Sequence, residues 1–593
     1  MIVSSYRGKI CLLLVLAFVA GLVGSCVKVD IDEEPPYPLK ERDYSYPTPE
    51  EKQPPWENPE DYPYVTITAP ANGEFVDAGE IAVIGTYAGP ALDSLTINGR
   101  AVNVSSGNFN ATVTVSDAAL DFPIAATATT EDGLVSSDRV TVFRGAAAAA
   151  DSPVPYAILI DLENRGMDNV GKLLSGALDG MDITDLLNNL INPALRAQFA
   201  DTVVINEALI KNVDVSLAAQ EDGLEVNALA SVAINITLFG IYTLDIELNG
   251  VTLEMVANLT VDTGNTLVFE VVSSSFAIAD VQLNGPLIPG FIGDLVSLLS
   301  STLWDLFLQN LLVDELNTLL GGLNIALNID GATFTLLPSA TLFTAHDFAL
   351  AFDTTTTLAE GWTPAIQPDG FLTTPSTPPT FTENTPVNNS PYGLAVALND
   401  DTLNQLLYLL AASGGLNFQV QDPILDAEIL SIIFWSFESI DPDMPVILQF
   451  SPTVAPIVVG GDEGPMELRL TGYTGSLMVD RGDDGLWEAL SFAIDLTAAT
   501  SLLAVSEDTI GLDLGELGIS MSVVHNPVGQ VNIPNIDRLL AELFDSVLPD
   551  LLESLGSLQF TIPEIANLQI GIPEISAIGP NYDYLGLFVD LVY

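Results

Sequence analysis

The sequence predicts an α+β protein in which a small β-sandwich precedes two similarly organised halves. Three observations lead to this prediction. Many short segments alternate apolar and polar residues with a period of two, as half-buried strands do. Leucine-rich segments repeat at spacings of three and four, as one face of a helix does. Both patterns occur in the same order before and after a segment rich in proline and threonine at 354–390.

The chain begins with a charged and then apolar segment that ends at a cysteine. Arg7 and Lys9 precede an unbroken apolar run from Ile10 to Gly24, and Cys26 follows. Crossing a membrane takes about 20 apolar residues, so this shorter run fits an export signal instead. The pattern resembles the lipobox of bacterial lipoproteins. The resemblance implies a signal peptide at 1–25 and acylation of Cys26, and an ordinary secretory signal with a chance cysteine is the alternative.

Cysteine use agrees with this interpretation. The chain has two cysteines, and Cys11 lies inside the segment that would be removed. An exported protein that keeps one cysteine, at the cleavage junction, uses it for something other than a disulfide. We therefore expect a protein of the bacterial cell envelope that is attached to a membrane by lipid on Cys26. Val27 after the cysteine is compatible with passage to the outer membrane. The following segment, 26–63, is dense in proline and acid and is predicted to be an extended tether.

Composition excludes one class of partner and constrains the fold. The chain has 78 acidic and 16 basic residues, a net charge of −62. Without a basic patch, nucleic acid is not expected as a partner. Hydrophobic residues make up 48% and charged residues 16%, whereas ordinary soluble domains have about 25% charged residues. The excess apolar surface must either be buried in folded domains or line a cavity.

Residues 64–144 are predicted to form the β-sandwich. Short strands with a period of two are separated by turn dipeptides such as Asn98-Gly99 and Asp132-Gly133. The segment resembles bacterial immunoglobulin-like domains. We expect it to act as a rigid spacer, with an adhesive or carbohydrate-contacting module as the alternative. Residues 146–153 are interpreted as a linker.

The first half is assigned to 155–353. A strand from Pro155 to Leu162 precedes helical spacing from Val170 to Ile191, with a break or kink at Gly180. A long helix is predicted from Ile292 to Leu320, and a last strand from Leu323 to Leu336. The strands predicted between the two helices are Val203 to Ile210, Val213 to Ala218, Leu224 to Ala228, Val232 to Leu238, Tyr242 to Leu248, Val251 to Leu259 and Thr266 to Val272.

The second half, 391–593, repeats this plan after the connector at 354–390. A strand from Gly393 to Leu398 leads to a helix that begins at Asn399 or Asp400 and ends before Gly414. A long helix is predicted from Ile536 to Leu555, and a last strand ends at Tyr593. The strands predicted between them are Leu416 to Val420, Val446 to Phe450, Met466 to Leu470, Gly475 to Val479 and Trp487 to Leu496.

Several short motifs occur in a familiar order. A helix end at 548–555, an apolar-proline segment at 562–565 and a closing strand at 584–589 follow one another. Earlier segments are 395–416, with a strand, a helix and a glycine turn, and 441–446, before a strand pair. The order resembles the tubular lipid-binding superfamily, in the branch of bactericidal permeability-increasing protein, lipopolysaccharide-binding protein and cholesteryl ester transfer protein.

This resemblance implies two tandem barrel-like lobes, each a long helix wrapped by an antiparallel sheet that leaves an apolar groove. The implied ligand is a phospholipid or another acyl lipid, which the protein would bind and could also transfer. The cysteine pair and the basic cluster of the family's antibacterial members are absent from this sequence, so endotoxin binding is not carried over. Six leucines are candidates to contact lipid, with ordinary core packing as the alternative: Leu173, Leu174, Leu178, Leu403, Leu407 and Leu410.

The sequence indicates no catalytic centre. Its two histidines, His346 and His525, are far apart and lack metal-ligand spacing, and no nucleophile elbow or phosphate-binding loop occurs. His346-Asp347 could be half of a triad, but a structural histidine is the preferred interpretation. The acidic run from Asp480 to Gly485 is predicted to be a hairpin turn rather than a calcium loop. We therefore expect a non-enzyme without cofactor or metal. A non-catalytic surface adhesion or scaffold protein with a fully packed core is the alternative function.

Overall fold

Strands dominate the structure. The computed structural model describes residues 63–116, 120–185, 187–188, 203–221, 223–285, 325–329, 331–420, 444–460, 466–506, 509–525, 559–561 and 569–592. Strands account for 64% of the described residues and helices for 9%. The signal segment with Cys26, most of the tether, and the helices expected at 292–320 and 536–555 lie outside the described residues.

Residues 64–144 form two sheets that pack face to face. One sheet has the order β1-β3-β7-β6 and the other has the order β2-β9-β8-β4-β5. Alternate residues of both sheets, such as Val83 and Phe109 from one and Ile97 and Ile124 from the other, share one buried core. The strands are β1 (Tyr64–Ala69), β2 (Phe75–Val76), β3 (Gly79–Ala88), β4 (Leu92–Ile97), β5 (Arg100–Ala101), β6 (Val104–Ser105), β7 (Asn108–Val115), β8 (Asp121–Thr130) and β9 (Val135–Arg144).

A seven-stranded central sheet joins the two halves. Its order is β16-β17-β18-β11-β20-β29-β28, so the first strand of one half lies beside the first strand of the other. The two pair antiparallel, with Ile158 opposite Leu398. The strands of this sheet are β11 (Ile158–Glu163), β16 (Ile325–Ile329), β17 (Ala332–Phe343), β18 (Asp347–Leu358), β20 (Leu394–Asn399), β28 (Gln569–Ile578) and β29 (Tyr584–Val592).

The linker and the connector are joined by a two-stranded sheet. The strands β10 (Ala146–Ala148) and β19 (Phe371–Thr373) pair antiparallel. Near this pair, Phe143 of the sandwich packs against Leu372 and Val454 in one buried cluster.

The sandwich is also held to the second half by ion pairs. Arg139 contacts Asp495 at 2.5 Å, and Arg469 contacts Asp121 at 2.8 Å. The sandwich is therefore fastened to the rest of the protein by apolar and ionic contacts along its side.

The first half has a four-stranded antiparallel meander with long strands. Its strands are β12 (Val203–Gln220), β13 (Gly223–Leu238), β14 (Tyr242–Val261) and β15 (Leu267–Asn284). The sequence pattern predicts two separate strands in place of each of the first three strands. In the structure each of the three is one continuous strand, and its pairing contains a bulge. Register shifts occur between Lys211 and Asp214 and between Ala230 and Val232. Bulges bend and twist a strand without ending it, which explains why the alternation of the sequence breaks there.

The second half contains a larger sheet of the same kind. Its order is β21-β22-β24-β25-β26-β27, with β23 paired to β24. A bulge beside Gly472, whose φ is 79°, joins two predicted strands into one. The turn after Asp480 connects β24 to β25, which confirms the predicted hairpin. The strands are β21 (Phe418–Val420), β22 (Val446–Pro452), β23 (Ile457–Val459), β24 (Met466–Asp480), β25 (Leu486–Ser506), β26 (Thr509–His525) and β27 (Gln559–Thr561).

Two α-helices are described, and both are short. Helix α1 (Asn164–Leu178) follows β11, and helix α2 (Asp400–Ala412) follows β20. Neither is a long helix wrapped by a sheet, so the fold class expected from the family resemblance is wrong. The physical reason is that each helix ends just before a glycine with a positive φ: α1 ends at Leu178, before Gly180 with a φ of 76°, and α2 ends at Ala412, before Gly414 with a φ of 79°. No helix in the described ranges combines the length and apolar character that crossing a membrane requires.

The two faces of the central sheet differ. One face carries Ile158 and Ile160 of β11 and belongs to the largest buried cluster, which also contains residues of β12 to β15 and of α2. The opposite face carries Leu159 and packs against Tyr392 and Phe588. We call these the inner face and the outer face of the central sheet.

Candidate functional site

Helix α1 is attached to the free edge of the first-half meander by its small and polar residues. Ser175 Oγ accepts a hydrogen bond from the backbone N–H of Val215 at 2.7 Å, and Asn164 Oδ1 accepts one from Ala219 at 2.7 Å. A Cβ on Gly171 would lie 2.5 Å from the carbonyl oxygen of Val215. The helix thus covers the unpaired backbone groups of edge strand β12, and the absence of a side chain at Gly171 allows the close approach.

Helix α2 is attached in a similar way. Gln405 is fully buried and donates to the carbonyl oxygens of Ala150 and Ser152 at 3.1 and 2.8 Å. Asn404 is also buried, and its Oδ1 accepts the backbone N–H of Val458 at 2.6 Å. Buried amides are stable only with such partners. The polar face of this helix therefore holds it in place.

Six described leucines of the two helices are only partly buried. Leu403, Leu406, Leu407 and Leu410 on α2 are half-buried, although Gln405 and Leu409 are 0% exposed. On α1, Leu174 and Leu178 are half-buried, whereas Gly171 is buried. An amphipathic helix normally buries its apolar stripe most deeply. These half-buried leucines therefore keep some free apolar surface.

The structure divides five of the six predicted residues between two clusters. Leu174, Leu178 and Leu410 pack against the cluster on the inner face of the central sheet. Leu403 and Leu407 pack against a separate cluster that contains Leu468 and Leu496 of the second-half sheet. The side chain of Leu173 lies outside the described residues.

One residue of the site was missed. Leu406 packs against the same inner-face cluster as Leu410. Its place in the leucine stripe of α2 was visible in the sequence, but the sequence does not show which side of the stripe faces which sheet. We call Leu174, Leu178, Leu406 and Leu410 the leucine site.

Carboxyl groups lie buried at the start of α2. Burial raises the pKa of Asp400 to about 8, and the charge of Asp401 contributes to this shift. Burial likewise raises the pKa of Asp401 to about 7, although its Oδ1 accepts the backbone N–H of Thr374 at 2.8 Å. The Asn399 side chain caps the helix by accepting the N–H of Asp401. These groups fix the helix end and lie away from the leucine site, which occupies the later turns.

The histidine considered for catalysis lies at the surface. The side chain of His346 is 64% exposed, and its Nδ1 lies 3.6 Å from a Glu383 carboxylate oxygen. The neighbouring Asp347 is buried and accepts the hydroxyl of Thr344. The two side chains therefore have different partners and do not form the histidine–aspartate pair of a triad.

Comparisons with known proteins do not assign this chain to a family. No protein-family model matches the chain, and no curated protein matches it. Among solved structures, the crystal structure of lipopolysaccharide binding protein matches with 16% sequence identity and a TM-score of 0.37, over 74% of this chain and all of that one. An engineered protein matches with 21% identity and a TM-score of 0.13, over 15% of this chain and 21% of that one.

These likenesses are coarse. The weak structural neighbour is of the kind that the sequence motifs resemble, but membership of that family is not established. Similarity at this level carries no argument about function, so the function must be inferred from the residues of the chain itself.

Proposed function

We propose that the protein binds the acyl chains of a phospholipid or another acyl lipid against the leucine site, without catalysing a reaction. The observation that carries this proposal is the partial exposure of six leucines on the two helices. On α2, Gln405 and the Oδ1 of Asn404 are engaged with backbone groups, while the half-buried leucines of both helices keep apolar surface that nothing in the described residues covers completely. An acyl chain is a ligand that needs only such a surface.

The energetics are sufficient for binding. Each buried methylene contributes about 0.8 kcal/mol, so a chain of 16 carbons could gain on the order of 12 kcal/mol. The cost of association is about 4–15 kcal/mol. Binding at useful affinity therefore requires that most of one chain is covered, and leucines of both helices pack against the same inner-face cluster.

Recognition of a phosphate headgroup is not part of the proposal. Three of the described arginines are engaged with carboxylates: Arg139 with Asp495, Arg165 with Asp590, and Arg469 with Asp121 and Glu467. Affinity would then come from the acyl chains.

The proposal includes a location in the bacterial cell envelope. It is supported by the apolar run from Ile10 to Gly24 and by Cys26 after it. Acyl chains on Cys26 would hold the protein at a membrane surface, because two or more chains give durable attachment. The outer membrane is the proposed site of attachment, with Val27 as the compatible residue.

The test is a search for bound lipid. The polypeptide that follows Cys26 is produced without the first 26 residues, so that no detergent is needed, and is analysed by native mass spectrometry and solvent extraction. We expect a co-purifying acyl lipid that a fluorescent fatty acid displaces. A protein that is free of lipid and takes up no acyl probe would exclude the proposal and favour an adhesion or scaffold role.

A further inference from the structure

Three carboxyl groups converge on the outer face of the central sheet. Asp161 and Glu163 lie two residues apart on β11, so their side chains point to the same face. Asp347 at the start of β18 pairs directly with Glu163. One oxygen atom from each of the three lies within 4.8 Å of the others. The residues are 0%, 5% and 9% exposed, respectively. We call them the acidic trio.

Two oxygen atoms of the trio lack partners. The Tyr392 hydroxyl donates to Asp161 Oδ2 at 3.1 Å, and the Thr344 hydroxyl donates to Asp347. Asp161 Oδ1 and Glu163 Oε1 are buried and accept no hydrogen bond. Leaving a buried acceptor without a partner costs about 1–3 kcal/mol, and more when it is charged. Two such oxygen atoms at one place indicate that this place accommodates a positively charged group.

The raised pKa values of two carboxyl groups of the trio also favour a positively charged group at this place. Burial raises the pKa of Asp161 to about 8, and the charges of Asp347 and Glu163 add to this. Burial also raises the pKa of Glu163 to about 7; the charges of Asp347 and Glu383 add to this, and His346 opposes it. Among the described residues, no lysine or arginine forms an ion pair with the trio.

The start of α2 serves as an internal comparison. It follows β20, the first strand of the second half as β11 is of the first half, and it too is rich in buried carboxyl groups. There the connector supplies backbone amides: Asp401 accepts the N–H of Thr374 at 2.8 Å, and Asp583 accepts that of Thr377 at 3.0 Å. One oxygen, Asp583 Oδ1, stays unpartnered. The connector thus supplies amide dipoles to the carboxyl groups near the start of α2.

We propose that the acidic trio binds a divalent cation, and that Ca²⁺ is the ion that fits it. Ca²⁺ takes 6–8 oxygen ligands at 2.3–2.6 Å, so two oxygens on opposite sides of one ion are about 5 Å apart. The spacing of the trio lies within that span. Mg²⁺ requires shorter bonds and near-ideal octahedral geometry. Asp161, Glu163 and Asp347 supply three carboxylates, and water or their second oxygens complete the shell.

The test compares unfolding midpoints of the full-length chain in Ca²⁺ and in EDTA, at constant ionic strength, with Mg²⁺ as a further arm. The wild-type midpoint should rise with Ca²⁺ along a saturating curve, and less with Mg²⁺. Glu163→Gln should unfold at a higher temperature than the wild type in EDTA, because a buried carboxyl group without a partner is removed. The same variant should not respond to Ca²⁺. This reversal of order distinguishes an ion ligand from a residue that only packs.

The control addresses the large negative charge of the chain, which attracts cations everywhere. Asp401→Asn removes a buried carboxyl group at the start of α2, outside the trio, and should respond to Ca²⁺ as the wild type does. The proposal is wrong if Glu163→Gln keeps the wild-type response to Ca²⁺, or if the wild type shows none.

Discussion

The leucine site makes a quantitative prediction for the double variant Leu406→Gln/Leu410→Gln. Both side chains are half-buried on α2 and pack against the inner-face cluster. Complete burial of a leucine is worth about 1.5–3 kcal/mol, so about half of this, roughly 1 kcal/mol per residue, is available to a bound acyl chain. Glutamine is of similar length and is a good helix former. The double variant should therefore bind an acyl probe more weakly by roughly 2 kcal/mol, which is about 30-fold.

The assay is a titration with a fluorescent fatty acid of 16 carbons, together with urea unfolding of the same samples. The double variant should lose about 2 kcal/mol of stability, because the buried half of each leucine is also lost. The matched control is Ile278→Gln/Leu283→Gln on β15, where both side chains are partly buried against a different cluster. This control should lose comparable stability and keep the probe affinity of the wild type.

The same experiment separates lipid binding from the adhesion or scaffold alternative. In a fully packed core, replacing a leucine by a smaller side chain costs about 2–5 kcal/mol per residue, and introducing an amide there adds the cost of an unpartnered polar group. The reasoning is refuted if the helix variant binds the probe as the wild type does. A loss of stability well above that of the control, without any binding by the wild type, would favour the packed alternative.

Three further predictions concern the anchor, helix α1 and the docked sandwich. Intact mass measurement of protein extracted from membranes should give a chain that begins at an acylated Cys26, and a chain without acyl groups there would contradict the proposed anchor. Gly166→Ala should destabilise the protein by about 1–3 kcal/mol in urea unfolding, because its Cβ would lie 2.0 Å from a backbone carbonyl oxygen; the exposed Gly176→Ala on the same helix should instead stabilise it by about 0.5–1 kcal/mol. Asp495→Asn leaves the 9% exposed Arg139 without its ion-pair partner and should lower the unfolding free energy by about 3–5 kcal/mol; unchanged stability and unchanged protease resistance of the linker would show that this ion pair does not hold the sandwich.

Local patterns predicted many individual elements. The alternation in 203–272 marks real strands, and the glycines at 414 and 485 mark a helix end and a hairpin turn. The joining of those strands was not predictable, because a bulge inserts one residue and reverses the alternation while the hydrogen-bonded ladder continues. The fold class implied by the family resemblance is wrong, since the described residues are mostly strand and both described helices are short; the long helices that the leucine stripes predict at 292–320 and 536–555 lie outside the described residues.

What the sequence by itself determined is the set of local elements and the chemistry available to them: strands with a period of two, two leucine-striped helices, and a large excess of acid. Tertiary structure alone decided which groups meet. The pairing of β11 with β20 connects residues far apart in the chain, and it creates the inner face on which leucines of both helices gather. The acidic trio joins Asp161 and Glu163 to Asp347 by the same sheet. The physical reason is that periodicity records only which side of an element is apolar, whereas burial, and with it the pKa of a carboxyl group or the free surface of a leucine, depends on the neighbours that folding brings to that side.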